Sequence, residues 1–155
     1  MKEAQIKSVA LFFFYTFLDK SLALRATAES MHLFERRLKE RDPLAPKDPV
    51  LVYSTYKIWK KYSKKRSIKS QDFPLNSEGW IMPDGIKMEP WRQFVKDTDP
   101  QIYLAVIWSH LLQFNDKDIS EGLGVTEGSV RYRVGRGLKI LGQIVSPAGA
   151  FDAQA

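Results

Sequence analysis

From residue 4 to about residue 39 no glycine or proline interrupts the chain, and Ala, Leu, Met, Glu, Lys and Arg are frequent. These are good helix formers, so one or two long helices are predicted here. The first part, from Val9 through Leu18, is apolar nearly all round. In the second, Leu24, Met31, Phe34 and Leu38 alternate with Glu29, Glu35, Arg36, Arg37 and Glu40 in an amphipathic pattern. A helix that is apolar on every side needs cover on every side, either from other helices of the chain or from a second subunit, which makes a homodimer through the N-terminal helices one expectation.

Three prolines, Pro43, Pro46 and Pro49, mark residues 41–49 as a connection. Asp48 is placed to cap the next helix, with Pro49 at its first position. That helix is predicted over about 49–65, with Val50, Leu51, Tyr53, Ile58, Trp59 and Tyr62 as its apolar surface. Its far end is a basic block, Lys57, Lys60, Lys61, Lys64, Lys65, Arg66 and Lys69, with no acid between them. Residues 70–90 read as a linker punctuated by Pro74, Gly79, Pro83, Gly85 and Pro90, and Trp80 and Trp91 are expected to pin it by packing. A short helix over 89–95 follows. A better one is predicted over 100–112, capped by Asp97 or Asp99 and burying Ile102, Leu104, Val106, Ile107 and Leu111.

The segment over 116–141 carries the diagnostic pattern. Asn115 or Asp116 can cap a short helix whose Ile119 and Leu123, four apart, face inward. Gly124 can take positive φ for a sharp turn, Val125 drops into the angle, and Thr126 caps a second helix. On that second helix Val130, Val134, Leu138 and Leu141 are expected to form the buried stripe, leaving Glu127, Ser129, Arg131, Tyr132, Arg133, Arg136 and Lys139 outward, with Arg131 and Arg133 facing solvent. This is a helix-turn-helix, and a helix so decorated fits the major groove of double-stranded DNA. Glycines 128, 135 and 137 each cost the second helix roughly 0.5–1 kcal/mol relative to alanine, and a close backbone approach at 135 and 137 would give a packing reason for them.

The run Val125-Thr126-Glu127-Gly128-Ser129-Val130-Arg131-Tyr132-Arg133-Val134-Gly135-Arg136-Gly137-Leu138-Lys139-Ile140-Leu141, preceded by Asp118-Ile119-Ser120-Glu121-Gly122-Leu123-Gly124, resembles region 4 of sigma-70-type transcription factors, particularly the extracytoplasmic-function group. The resemblance spans about 100–144. It implies DNA binding by Glu127, Ser129, Arg131 and Tyr132 near bases or adjoining backbone, by Arg133, Arg136 and Lys139 farther along, and contact with core RNA polymerase. The helix from Val50 to Tyr62 would then be a reduced region 2. Two readings stay open beside it. A trihelical bundle of this geometry also serves protein binding alone, as in a sigma-like adaptor. A basic helix end is also favourable to the helix dipole and commonly solvated, which competes with phosphate contact by Lys57, Lys60, Lys61, Lys64, Lys65 and Arg66.

Charge refines the picture. The chain carries 24 Lys and Arg against 18 Asp and Glu, net +6, which favours a polyanionic partner. Yet residues 1–70 hold 16 basic and 7 acidic groups while 71–155 hold 8 and 11, so the reading segment lacks the positive field of the whole. There is no cysteine, which excludes disulfides and thiolate metal sites and fits a reducing cytoplasm. The apolar run after Lys7 has some of the look of an export signal, but Asp19 and Lys20 end it well short of the roughly 20 residues a bilayer requires, so no membrane role is expected. His32 and His110 are isolated, the latter read as a structural histidine in an apolar helix. The acids Asp97, Asp99, Asp116 and Asp118 are explained as caps, and Gly122 to Gly124 follows a helix rather than a strand. No metal, cofactor or catalysis is expected. The expected architecture is all-α: an N-terminal helical domain over 1–69, a linker over 70–90, a C-terminal trihelical helix-turn-helix bundle over 91–145 and a tail over 146–155.

Overall fold

The computed structural model describes residues 3–66 and 88–146, apart from the side chains of Lys65 and Arg66. Trp80, the turn over 83–85, Lys69, most of the expected linker and all but the first residue of the expected tail lie outside the described residues. Within them the protein is all-α, with no strand: α1 Glu3–Phe17, α2 Lys20–Lys39, α3 Asp48–Arg66, α4 Met88–Asp97, α5 Pro100–Val106, which continues as a π-helical turn Ile107–Leu111, α6 Asp116–Leu123 and α7 Glu127–Val145. The first three helices form one cluster. The C-terminal part holds four rather than the three of a trihelical bundle: the short helix expected over 89–95 runs Met88–Asp97 and joins the cluster, burying Trp91, Phe94 and Val95.

The long helix-forming stretch breaks at Leu18, which adopts φ 54° although it is neither glycine nor asparagine. A left-handed leucine costs roughly 1–2 kcal/mol. Two local bonds help to offset it: the Leu18 N–H donates to Phe14 C=O at 2.7 Å, and Asp19 caps α2 by accepting from the Leu22 N–H at 3.1 Å. The break folds α2 back onto α1 and encloses the aromatic run, so that Phe12, Phe13, Phe14, Tyr15 and Phe17 are all buried. Their cover comes from this chain. Trp108 stacks on Phe12 with ring centroids 5.3 Å apart, and Trp91 sits edge-on to Tyr15. Burial pushes the Tyr15 hydroxyl up to about 12.

Both tryptophans also spend their polar ends across the fold. Trp91 Nε1 donates to Tyr15 C=O at 2.8 Å, as packing required of a buried indole, and Trp108 Nε1 donates to Thr55 Oγ1 at 3.1 Å. The apolar residues from Val9 to Leu141 thus join one core. Helices α2 and α3 run antiparallel: Arg37 Nη2 donates to the Tyr53 hydroxyl at 2.6 Å near one end, and Glu29 accepts from both Lys61 and Tyr62 near the other. Asp48 opens α3 as its first residue, one position inside the expected cap.

Two glycines set how closely the C-terminal helices approach their neighbours. A Cβ at Gly122 of α6 would lie 2.6 Å from the Pro49 carbonyl oxygen and 2.6 Å from Val52 Cβ of α3. One at Gly137 of α7 would overlap Val106 Cγ2 and meet Ile102 Cγ2 at 3.0 Å. Gly135 does not share this packing role, because its missing Cβ faces open space. Gly135→Ala is therefore expected to raise stability by about 0.5–1 kcal/mol in urea denaturation, since alanine gains helix propensity with nothing to strike. A loss of stability there would show the site to be covered.

Candidate nucleic-acid interface

The α6–turn–α7 unit is assembled by local chemistry. Asn115 caps α6 by accepting from the Asp118 N–H at 2.7 Å, and Gly124 ends it in the left-handed region at φ 73°. Val125 follows, half-buried between the helices, and Thr126 caps α7 by accepting from the Ser129 N–H at 3.0 Å. Ile119 is fully buried and Leu123 half-buried. Upstream, Asp99 rather than Asp97 caps α5, accepting from the Gln101 N–H at 2.9 Å. The π-helical turn closes with Leu112 N–H donating to Ile107 C=O, five residues back, at 2.9 Å. One residue of this turn departs from the sequence reading: His110, expected as a structural histidine in an apolar helix, is exposed.

The buried stripe of α7 is Val130, Val134, Gly137 and Leu141. Leu138, expected in it, is 37% exposed. The 4-3-4 spacing keeps to one side of a helix that turns about 100° per residue, and Leu138 lies one step round from it. Directly opposite the stripe come Gly128, Tyr132, Gly135, Arg136 and Lys139, and all five are exposed. Tyr132 is 68% exposed, the most open aromatic among the described residues. Gly128 and Gly135 leave the backbone of this face bare, with little or nothing near either missing Cβ.

The remaining expected contacts fall on the two flanks. Glu127 and Arg131 share one, where the Arg131 guanidinium lies 3.9 Å from Glu127 and 4.0 Å from Asp116. Ion pairs this exposed hold little energy, but they orient the group. On the other flank Ser129 is half-buried, with its Oγ 3.2 Å from Thr126 Oγ1. Arg133 lies there too, half-buried, where the sequence predicted a solvent-facing side chain. It lines a crevice of about 100 Å³ with Tyr56 of α3, Gln101 of α5 and Val125.

The described lysines of the α3 basic block do not share one place. Lys60 rides over the Tyr56 ring at 5.4 Å, beside the crevice that Arg133 lines. Lys57 and Lys61 lie one step round α3 and line a separate groove against α2. Lys64 is exposed, and the side chains of Lys65 and Arg66 lie outside the described residues.

Compared with known proteins, the chain matches no family model, no curated protein and no solved structure. The geometry of this chain therefore carries the functional reading alone.

Three participants were not legible in the sequence. Asp116 was read only as a cap, yet it faces Arg131. Gln101 enters from α5. Arg41, in the α2–α3 connection, donates to Glu121 of α6 at 2.9 Å across 80 positions, tying the N-terminal cluster to the first helix of the motif. At the same seam desolvation, with the Asp118 charge adding to it, raises the Asp48 carboxyl above its ordinary value. Among the described residues no group of His, Cys, Asp and Glu could hold a metal ion, and no helix is long and apolar enough to cross a membrane.

Proposed function

We propose that the chain is a sequence-specific DNA-binding transcription regulator that uses α6 and α7 as a sigma factor uses region 4, with α7 entering the major groove. The observation that carries this reading is the uncovered outer face of α7. Its buried stripe is satisfied from within, whereas Tyr132, Arg136 and Lys139 stand free beside two bare glycines that let a duplex backbone come close. Arg131 and Ser129 flank that face toward the helix start, where base edges are met. Arg133 lines a neighbouring crevice and Lys60 lies over the Tyr56 ring that also lines it, which offers two cations to a phosphate, and the N-terminal helices are left for contact with core RNA polymerase.

Fluorescence anisotropy with random duplex and with duplex enriched by selection, at two salt concentrations, tests the reading. Binding is expected to weaken steeply with salt, and no binding even at low salt rejects it. The contacts divide by their signature. Lys60→Ala with Arg133→Ala is expected to weaken binding about equally on all sequences and to lower the salt slope by about 2. Arg131→Ala with Arg136→Ala is expected to cost about 1–3 kcal/mol for each arginine that reaches a base, and to erode discrimination between duplexes. Equal losses on random and enriched duplex in both pairs would remove base reading from the proposal.

A second reading, a sigma-like adaptor that binds polymerase or a regulatory protein with little DNA contact, is favoured by one observation. Arg131 is held between two carboxylates at the start of α7, where a duplex would bring more negative charge. Purified core RNA polymerase retained by the chain in the absence of DNA, with no duplex affinity, would select this reading. The absence of any retained polymerase or regulator would dismiss it.

A further inference from the structure

The antiparallel pair α2 and α3 leaves an open groove of about 630 Å³ that neither Tyr56 nor Lys60 lines. Its size is that of a site that accepts several side chains rather than one small ion. Leu33 and Ile58 form its floor, and Ala28 lies along its wall, where a larger residue would fill the space. The rim is cationic, with Arg36 from α2 and Lys57 and Lys61 from α3. The acid on it is Glu29, already engaged by the Lys61 ammonium at 2.5 Å and by the Tyr62 hydroxyl, which leaves little of its charge to offset the rest.

Arg36 and Lys57 have no carboxylate within ion-pair distance among the described residues, and Lys57 makes only a distant approach, 6.0 Å, to the Tyr53 ring. Lys57 and Lys61 are four apart on one helix face, a like-charge pair that mildly opposes the helix. An apolar floor between uncompensated cations thus has a complement of definite chemistry.

We infer that the α2–α3 groove docks an acidic amphipathic helix of a partner protein, its apolar residues on Leu33 and Ile58 and its carboxylates on Arg36 and Lys57. Apolar anchors at i, i+3, i+4 and i+7 match such a floor, and flanking Asp or Glu matches the rim. A nucleic-acid strand fits less well, because its phosphates would satisfy the rim while leaving the floor without an apolar partner. The inference is independent of the DNA reading, since Lys57 and Lys61 lie round α3 from the crevice of Arg133.

The test uses the full chain and a fluorescein-labelled peptide of about four helical turns, with leucine at the anchor spacing and glutamate on both flanks. Saturable binding is expected that weakens with salt. Ala28→Trp, an exposed helix position, plugs the groove and is expected to abolish binding while circular dichroism and melting stay as in the parent. Arg36→Glu with Lys57→Glu is expected to weaken the acidic peptide on the order of ten-fold and to gain binding of the same peptide with lysine in place of glutamate. Absence of binding to the parent, or equal binding to the Ala28→Trp variant, would overturn the inference. Loss of duplex affinity with unchanged peptide affinity in the charge-reversed variant would assign the groove to nucleic acid and overturn it as well.

Discussion

Gly122→Ala is expected to destabilise the protein by about 1–3 kcal/mol, the usual range for forcing a methyl group into a filled interior. The cost is not relieved by a side chain swinging aside. One of the atoms met is the carbonyl oxygen of Pro49 in the first turn of α3, and another is the Cβ of fully buried Val52. Either α6 retreats from α3 or the backbone of α3 bends, and both disturb the contacts around Leu51 and Val52 in the core. The gain in helix propensity, at most about 1 kcal/mol, opposes this without cancelling it. Urea denaturation should show a lower midpoint. Arg41 and Glu121, which bridge the same seam, should lose their coupling in a double-mutant cycle. A midpoint equal to the parent's, with coupling intact, would mean that α3 and α6 stand farther apart than described.

Val130→Asp is expected to be more severe, about 4 kcal/mol or more, sufficient to unfold much of the C-terminal cluster. Val130 is fully buried as the first residue of the α7 stripe. The variant forfeits the transfer energy of the valine, about 1.5–3 kcal/mol, and places a carboxyl where it has no partner. Burial raises the pKa of such a carboxyl, so its protonated form is the one the fold tolerates. The deficit should therefore be smaller near pH 4 and grow as pH rises toward 7. Thermal melts at the two pH values check both claims, and a melt matching the parent at pH 7 would place Val130 outside the core. Duplex affinity should be lost along with helicity in this variant, whereas the arginine variants lose it with helicity intact.

The helix-turn-helix was legible because its signals are local. Asn115, Gly124 and Thr126 act within four residues of themselves, through caps and one left-handed turn, and each does in the structure what its residue type allows. The inward set of α7 was read nearly right. Its error, Leu138 for Gly137, came from taking the larger apolar residue where the helix demanded the smaller one against Val106 and Ile102. The same bias toward size missed Gly122, whose importance is set by Pro49 and Val52, some 70 positions earlier.

Other features could not be read locally at all. Asp19 is a capping residue that allows a new helix to start, but nothing local requires Leu18 to take a left-handed conformation. Besides the two local bonds, the burial of five aromatic side chains that the break permits helps to offset a left-handed leucine. The π-helical turn Ile107–Leu111, likewise, lies in a stretch with no glycine or proline to announce it. Arg133 was assigned to solvent by its place on α7, but its flank is bordered by Tyr56 and Gln101. The basic block was one run in sequence, but its described lysines fall in two places: Lys57 and Lys61, four apart, line the groove against α2, while Lys60 lies over the Tyr56 ring.

By itself the sequence determined an all-helical chain with a capped, glycine-turned helix pair near its end and a row of cations outside the apolar stripe. Those properties follow from caps, turn conformations and a period of 3.6, which act over a few residues. The tertiary structure alone decided where helices stop without a breaker, which glycines are contact points, which arginine lies in a crevice and which lysines line a groove. These depend on atoms brought together from distant parts of the chain, and no local preference encodes which neighbours a side chain will meet.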